Sequence, residues 1–234
     1  MNNQVDGGIR FWLKADPRPP WLEHLSFRLG NQLFFVRIAD VDGQIETTGN
    51  DRGIHTVAQE CGGHPCLMPM KKTFFGGKWT PVNTGWGLVD ANTGTSINPI
   101  ELVTDEKIEV SDWELNDIAV QVVRTNLESD GYQLMSWVSN PGIDPAIWFI
   151  GKSKKPEWTV VRAIRYPSRT AKRPANKSKL IERFSSRGEI GHFASVRVAN
   201  ADNSSDSLAE SNGNYLPIYR GHPMFIGFDG LESI

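Results

Sequence analysis

Four side chains that suit a tetrahedral zinc ion lie close together in the first half of the chain, at His55, Cys61, His64 and Cys66. Cysteine thiolates and histidine imidazoles are the ligands that Zn²⁺ takes in structural sites. A single residue separates His64 from Cys66, whereas paired zinc ligands are normally two or more residues apart. Zn²⁺ is therefore one candidate cofactor, and the alternative is two structural cysteines beside glycine-rich turns.

The same thiols could instead form a nucleophile with a distant histidine, for example Cys61 or Cys66 with His192 or His222. A thiol becomes nucleophilic when a base or a positive charge lowers its pKa. No local motif of a cysteine hydrolase accompanies these residues, and neither GxSxG nor GxxxxGK[ST] occurs in the sequence. The sequence therefore gives no support to serine-hydrolase or P-loop chemistry.

Positive charge is concentrated between Lys152 and Arg187. This segment has 12 Lys or Arg against two Glu, a net charge of +10, although the whole chain has a net charge of −2. The positive electrostatic potential of such a segment would attract the phosphates of DNA or RNA. Nearby aromatic side chains could stack on bases, namely Trp148, Trp158 and Tyr166. The alternative is a solvated basic surface, or one paired with acidic groups. The cations that we predict to contact nucleic acid are Lys152, Lys154, Lys155, Arg165, Arg169, Lys172 and Arg173.

A helix is predicted to begin immediately after Ser111. Ser111 and Glu114 match a capping box, and apolar residues then recur at three- to five-residue spacing up to Gly131, as expected for an amphipathic helix. Beyond Gly131, apolar runs alternate with turn residues, which is typical of successive short elements. These runs predict strands at 132–139, 145–150 and 157–166, a helix from Pro174 to about Gly188, and a strand at 192–199.

The flanking residues are predicted to add β-structure to this core, and we expect one elaborated α+β domain. Its parts are an N-terminal β-rich extension (1–110), the αβββαβ core (111–199), an exposed loop (200–214) and C-terminal strands packed on the core (215–234). The predicted elements of the flanks are strands at 9–15, 32–40, 215–219 and 224–228, and a helix over 52–60 capped by Asp51.

The order αβββαβ resembles the core of the PD-(D/E)XK restriction-endonuclease-like superfamily. The resemblance implies a mixed sheet flanked by helices and a divalent ion, Mg²⁺ or Mn²⁺, held by an acid near the start of the second strand and by an acid-x-Lys on the third. Asp144 stands where the first metal ligand is expected, but Val160 and Arg162 take the places of the second acid and the lysine. The metal site is therefore incomplete, because a hard divalent cation needs carboxylate oxygens.

Two displaced carboxylates, Glu114 and Glu157, could join Asp144 and replace the missing acid. Arg162 stays charged near neutral pH, so it could contact a phosphate but could not act as a general base. The alternative gives each carboxylate a structural role. In that case Glu114 caps a helix, Glu157 is a solvated strand end and Asp144 stabilises the turn before Pro145.

Composition limits the class of protein. The 234 residues include 39% hydrophobic residues and eight tryptophans, which predicts a folded globule. The first residues, MNNQVDGGIR, lack the pattern of a secretory signal, and no apolar run approaches the roughly 18–20 residues that span a bilayer. Two cysteines are too few for a disulfide framework. We therefore expect a cytoplasmic protein without a membrane partner.

These observations leave three functions open. The first is a nuclease-fold protein with an incomplete metal site that binds nucleic acid or acts as a regulatory module. The second is an active, divalent-metal-dependent nuclease with relocated carboxylate ligands. The third is a non-enzymatic component whose aromatic surface and C-terminal segment MFIGFDGLESI contact a partner protein or another copy of the chain.

Overall fold

The structure is a computed structural model, and it describes residues 11–14, 25–43, 51–73, 77–152, 154–187, 190–204 and 215–234. The predicted α+β class is confirmed, since two mixed sheets are accompanied by three helices. The chain divides into two compact units, Met1–Ile108 and Glu109–Ile234. This differs from the expected single domain, because the first unit has its own sheet and its own apolar core rather than extending the second.

In its described residues, the first unit is a seven-stranded mixed sheet with one α-helix. Its elements are β1 (Phe11–Lys14), β2 (Leu25–Leu29), β3 (Gln32–Asp40), α1 (Asp51–Cys61), β4 (His64–Lys72), β5 (Trp79–Pro81), β6 (Leu88–Asp90) and β7 (Ser96–Ile97). Strands β3 and β4 are parallel, so α1 lies on the crossover that such a connection requires. The predicted strand at 32–40 and the helix begun by Asp51 are confirmed.

The second unit is built on a six-stranded mixed sheet in the order β12-β11-β10-β9-β8, with β13 also paired to β11. Its elements are α2 (Asp112–Ser129), β8 (Gln133–Trp137), β9 (Ile147–Ile150), β10 (Pro156–Arg165), α3 (Lys177–Phe184), β11 (Ile190–Asn200), β12 (Met224–Phe228) and β13 (Glu232–Ser233). The predicted order of helix, three strands, helix and strand is therefore confirmed.

The start of α2 is fixed by its capping box. The Ser111 hydroxyl accepts a hydrogen bond from the Glu114 backbone N–H at 3.3 Å, and the Glu114 carboxylate accepts one from the Ser111 backbone N–H at 2.9 Å. These bonds satisfy donors that a helix start leaves without partners. None of the helices within the described ranges is long and apolar enough to cross a membrane.

The sheet of the second unit separates two apolar layers. Strands β8, β9 and β10 form an antiparallel meander, whereas β11 runs parallel to β10 after the crossover through α3. Successive residues of a strand face opposite sides. Val161 therefore packs in the cluster that contains the buried face of α2, while Val160 packs with Leu180 and Phe184 of α3.

The C-terminal residues follow the prediction in part. The strand at 224–228 is confirmed, and it pairs antiparallel with β11. The strand predicted at 215–219 is reduced to one β-bridge, between Tyr219 and Glu109. Before it, Asn side chains take up the backbone groups: Asn203 exchanges two hydrogen bonds with the Leu216 backbone, and Asn200 donates to the Pro217 carbonyl. Both asparagines are buried, so the predicted exposed loop does not begin at residue 200. Its residues 205–214 lie outside the described part.

Candidate functional site

The four candidate zinc ligands do not form a metal site. His55 lies on α1, Cys61 is its last residue, and His64 and Cys66 lie on β4. The His64 ring stacks on Phe34 and its Nε2 lies 2.9 Å from the Gln32 side-chain oxygen. Across the described residues, no group of three or more His, Cys, Asp or Glu side chains could hold a metal ion.

The thiol of Cys66 is held in its protonated form. Its side chain is fully buried, and burial, assisted by the negative charge of Asp90, raises the pKa of Cys66 to about 12. Zinc coordination and nucleophilic attack both need the thiolate, which burial disfavours. Cys66 is thus suited to packing, with its thiol directed at the His64 carbonyl oxygen 3.5 Å away.

We expect Cys66 to resist alkylation in the native protein. At pH 8, a pKa of about 12 lowers the thiolate fraction roughly a thousandfold relative to an ordinary cysteine, before burial limits access. Iodoacetamide labelling at Cys66, followed by peptide mass spectrometry, should be slow in buffer and fast in urea. Rapid labelling of Cys66 in buffer, with the native circular dichroism spectrum retained, would contradict the assignment.

Asp144 and Arg162 are brought into direct contact. The Arg162 Nη1 and Nη2 atoms donate to Asp144 Oδ1 and Oδ2 at 2.8 and 2.5 Å, and Nη1 also donates to the Val161 carbonyl at 2.8 Å. Both side chains are shielded, with 14% of Asp144 and 28% of Arg162 exposed. Two parallel bonds between a guanidinium and a carboxylate make a strong, oriented pair. A protein cation therefore occupies the carboxylate that the resemblance assigns to a metal.

Val160, at the place of the second acid, is fully buried in the apolar layer beside α3. Its neighbours in that layer include Trp158 and Phe193, which supply no ligand atom. Substitution of a carboxylate at this position would place an ionised group in a low-dielectric environment. The structure therefore accounts for valine at position 160 as a core residue.

The two displaced carboxylates have separate partners of their own. Glu114 forms an ion pair with Arg220, Nη2 to Oε2 at 2.8 Å, and both side chains are at most 2% exposed. Glu157 lies 2.7 Å from Nε2 of His192, and this pair is also mostly buried. The structure thus does not bring Asp144, Glu114 and Glu157 together as one ligand set.

Two of the cations that we predict to contact nucleic acid have carboxylate partners within the second unit. Arg165 binds Asp112 and the Val110 carbonyl, both at 2.5 Å, which attaches β10 to the start of α2. Arg173 pairs with Glu232, and its guanidinium lies 5.9 Å from the centre of the Phe193 ring. These arginines are therefore less available to an incoming phosphate than an exposed lysine.

The other predicted cations are exposed. Lys152, Lys154 and Lys155 lie in the turn between β9 and β10, and Arg169 and Lys172 lie on the crossover between β10 and α3. No ion pair to a carboxylate is found for Lys152, Lys154, Arg169 or Lys172 within the described ranges, although the Lys152 ammonium lies 6.0 Å from the Tyr132 ring centre. We call this turn and this crossover, which lie at the two ends of β10, the basic surface.

Additional cations extend this surface along α3. Lys179 and Arg183 of α3 are exposed and four residues apart, which places them on one side of the helix. Arg187 is exposed three residues beyond the end of α3. The strand register puts the start of β11, which follows α3, near the lysine turn, because Pro156 pairs with Ile150 and the next residue of β10 pairs with Ile190. These three cations were not among our predicted contacts, and the four-residue repeat was the sequence signal for them.

Of the three aromatic residues predicted to stack on bases, Trp148 is the one that lines a cleft beside Asp144. Trp158 is only 1% exposed and belongs to the core, and Tyr166 packs edge-on against Tyr215 with ring centres 5.1 Å apart. Trp148 contacts Phe184 and helps line a cleft of about 290 Å³ that also has Asp144 and Arg183 in its wall. An aromatic side chain and a cation thus border the Asp144 site.

Comparison with known proteins gives one match. Residues 113–234 match the model of a family described as a domain of unknown function, DUF8840. No curated protein and no solved structure matches the chain. The matched region begins on α2 and includes the Asp144–Arg162 pair and the basic surface.

Proposed function

The chain belongs to the DUF8840 family of domains of unknown function, and we propose that its second unit binds nucleic acid on a nuclease-like core that lacks the metal site. The element order of this unit supports the proposal, since α2, three meander strands, α3 and β11 follow one another as in the resemblance to PD-(D/E)XK proteins. The proposal rests further on the chemistry around Asp144.

The observation that carries the proposal is the bidentate pair of Asp144 and Arg162. A metal ion would have to displace the guanidinium, and the place of the second acid is taken by the buried Val160. Hydrolysis of a phosphodiester by the route of PD-(D/E)XK nucleases needs at least one metal-bound water, which two or more carboxylates position. The site therefore favours binding without cleavage.

Binding is supported by the exposed cations of the same unit, of which Arg183 borders the Asp144 cleft. The lysine turn, the crossover and the exposed side of α3 all belong to the second unit and present ammonium and guanidinium groups to solvent. Each phosphate that such groups neutralise releases condensed counterions, which drives association in low salt. Trp148 at the cleft could stack on an unpaired base. DNA and RNA would both satisfy this chemistry.

We expect fluorescence anisotropy to detect binding of labelled single-stranded DNA, duplex DNA or single-stranded RNA that weakens strongly between about 50 and about 200 mM salt. The triple variant K152Q/K154Q/K155Q should lower the slope of log K against log salt by about 2–3, because each lost contact removes just under one unit. The labelled strand should stay intact with Mg²⁺ or Mn²⁺.

The matched control is K71Q/K72Q/K78Q, which removes three exposed lysines from a hairpin of the first unit. This variant has the same net charge as the test variant, so it should retain the salt slope of the unmodified chain. Equal effects of the two triple variants, or no binding of any probe at about 50 mM salt, would overturn the proposal. Cleavage that D144A abolishes would replace it with the metal-dependent nuclease.

A further inference from the structure

Strand β12 forms one edge of the second unit's sheet. It pairs with β11 on one side, and nothing in the described part of the chain pairs with its other side. Its sequence, MFIGF, has neither a charged residue nor a proline, and Phe225 and Ile226 are 55% and 43% exposed. Edge strands normally carry one of these protections, since a bare edge is a template for another strand.

The pairing with β11 defines which backbone groups of β12 point outwards. The Ala201 N–H donates to the Pro223 carbonyl at 3.2 Å, and directly opposed residues of an antiparallel pair alternate between bonded and non-bonded positions. Phe225 and Gly227 therefore direct their backbone groups at β11. The N–H and C=O groups of Met224, Ile226 and Phe228 face the open edge.

The opposite edge of the sheet is better protected. Strand β8 is interrupted by an irregular register between Leu134 and Ser136, and such bulges hinder edge-to-edge pairing. The β8 residue Trp137 is in addition covered by Arg124, whose guanidinium lies 5.0 Å from the ring centre. An added strand is therefore accommodated more readily at β12.

We propose that β12 pairs with β12 of a second copy of this chain, in an antiparallel arrangement with its two-fold axis at Ile226. Ile226 then opposes Ile226, and Met224 opposes Phe228. All the outward groups of both strands find partners in this register, with about six hydrogen bonds between the copies. A symmetric contact of this type closes on itself as a dimer.

The side chains of β12 favour this partner over an unrelated strand. In the same register, Phe225 of each copy opposes Gly227 of the other, so each exposed ring covers a position that has no side chain of its own. Cross-strand pairs of this kind stabilise sheets. Gly227 and Phe225 also border a cleft of about 380 Å³ with Tyr166 and Arg197, and the Arg197 guanidinium lies against Gly227, so the partner's ring would pack on this cation.

Light scattering coupled to size-exclusion chromatography tests the proposal on the full chain. The unmodified protein should have twice the monomer mass at micromolar concentration, and I226K should be a monomer, because it places two like charges opposite each other. The matched control M135K makes a comparable change at an exposed position of β8 and should remain a dimer. A monomer at every concentration, an open polymer, or dissociation by M135K instead of I226K would overturn the proposal.

Disulfide formation tests the register even where the non-covalent dimer is weak, because oxidation traps it, and it does not require position 226 to tolerate lysine. Bonded antiparallel pairs have Cα atoms about 5.5 Å apart, within the range that a disulfide spans. I226C should therefore form covalent dimers on mild oxidation, while M135C should not. The native cysteines, Cys61 and Cys66, are both buried and should not interfere. Cross-linking by M135C but not by I226C would exclude this interface.

Discussion

The R220M variant should lose about 3–5 kcal/mol of the free energy of unfolding of the second unit. Arg220 and Glu114 are 1% and 2% exposed, and the Arg220 Nε atom lies 3.0 and 3.1 Å from the two carboxylate oxygens. Removal of the guanidinium leaves the Glu114 charge buried and uncompensated, which costs more than the pair itself contributes. Urea unfolding followed by circular dichroism measures the loss.

The double variant E114Q/R220M distinguishes the cost of leaving one charge unpaired from the loss of the contact itself. It removes both charges while keeping an amide that can still accept from the Ser111 backbone, so we expect it to be more stable than R220M alone. A third variant, S111A, should cost about 1 kcal/mol, because it removes the helix cap and one neutral donor to Glu114 but leaves the ion pair in place. If R220M costs no more than S111A, the buried pair does not stabilise the fold as we describe.

The G191A variant should destabilise the second unit by about 1–3 kcal/mol through overpacking. A Cβ atom at this position would lie 2.4 Å from Cζ2 and 2.5 Å from Cη2 of Trp158, and Trp158 is only 1% exposed. The indole cannot move away without disturbing Val160 and Phe184, which belong to the same apolar cluster. Thermal or urea unfolding would show the effect.

A double-mutant cycle with W158F identifies the cause. Phenylalanine lacks the Cζ2 and Cη2 atoms that the new methyl group would meet, so W158F/G191A should be more stable than the sum of the two single losses implies, by about 1 kcal/mol or more. Strictly additive losses would mean that the glycine is needed for a reason other than contact with the indole.

Local patterns were sufficient to predict much of the second unit. The capping box of Ser111 and Glu114 needs only residues three apart, and the apolar runs of β9 and β10 need only neighbouring residues. The strand predicted at 215–219 is reduced to one β-bridge, because the backbone before it is satisfied by Asn200 and Asn203. A side chain that replaces a strand partner has no periodic signal in the sequence.

The candidate site depended on contacts between distant residues, which the sequence could not reveal. Asp144 was identified by its position in the element order, but its pairing with Arg162 depends on the register of two strands. Arg165 and Arg173 belong to the same basic segment as Lys152 and Lys172 by composition. They differ because carboxylates from far along the chain, Asp112 and Glu232, lie beside the two arginines in the folded unit.

The buried pair between Glu114 and Arg220 also has a consequence for synthesis of the chain. The two residues are 106 positions apart, so at bacterial or eukaryotic elongation rates roughly 5–20 s pass between their appearance on the ribosome. Until Arg220 emerges, packing α2 against the sheet would bury a carboxylate without its counterion, which is unfavourable. Packing of α2 against the sheet is therefore a late step that needs a long-range contact, and such contacts slow folding. Nascent chains that stall before residue 220 should be sensitive to proteases.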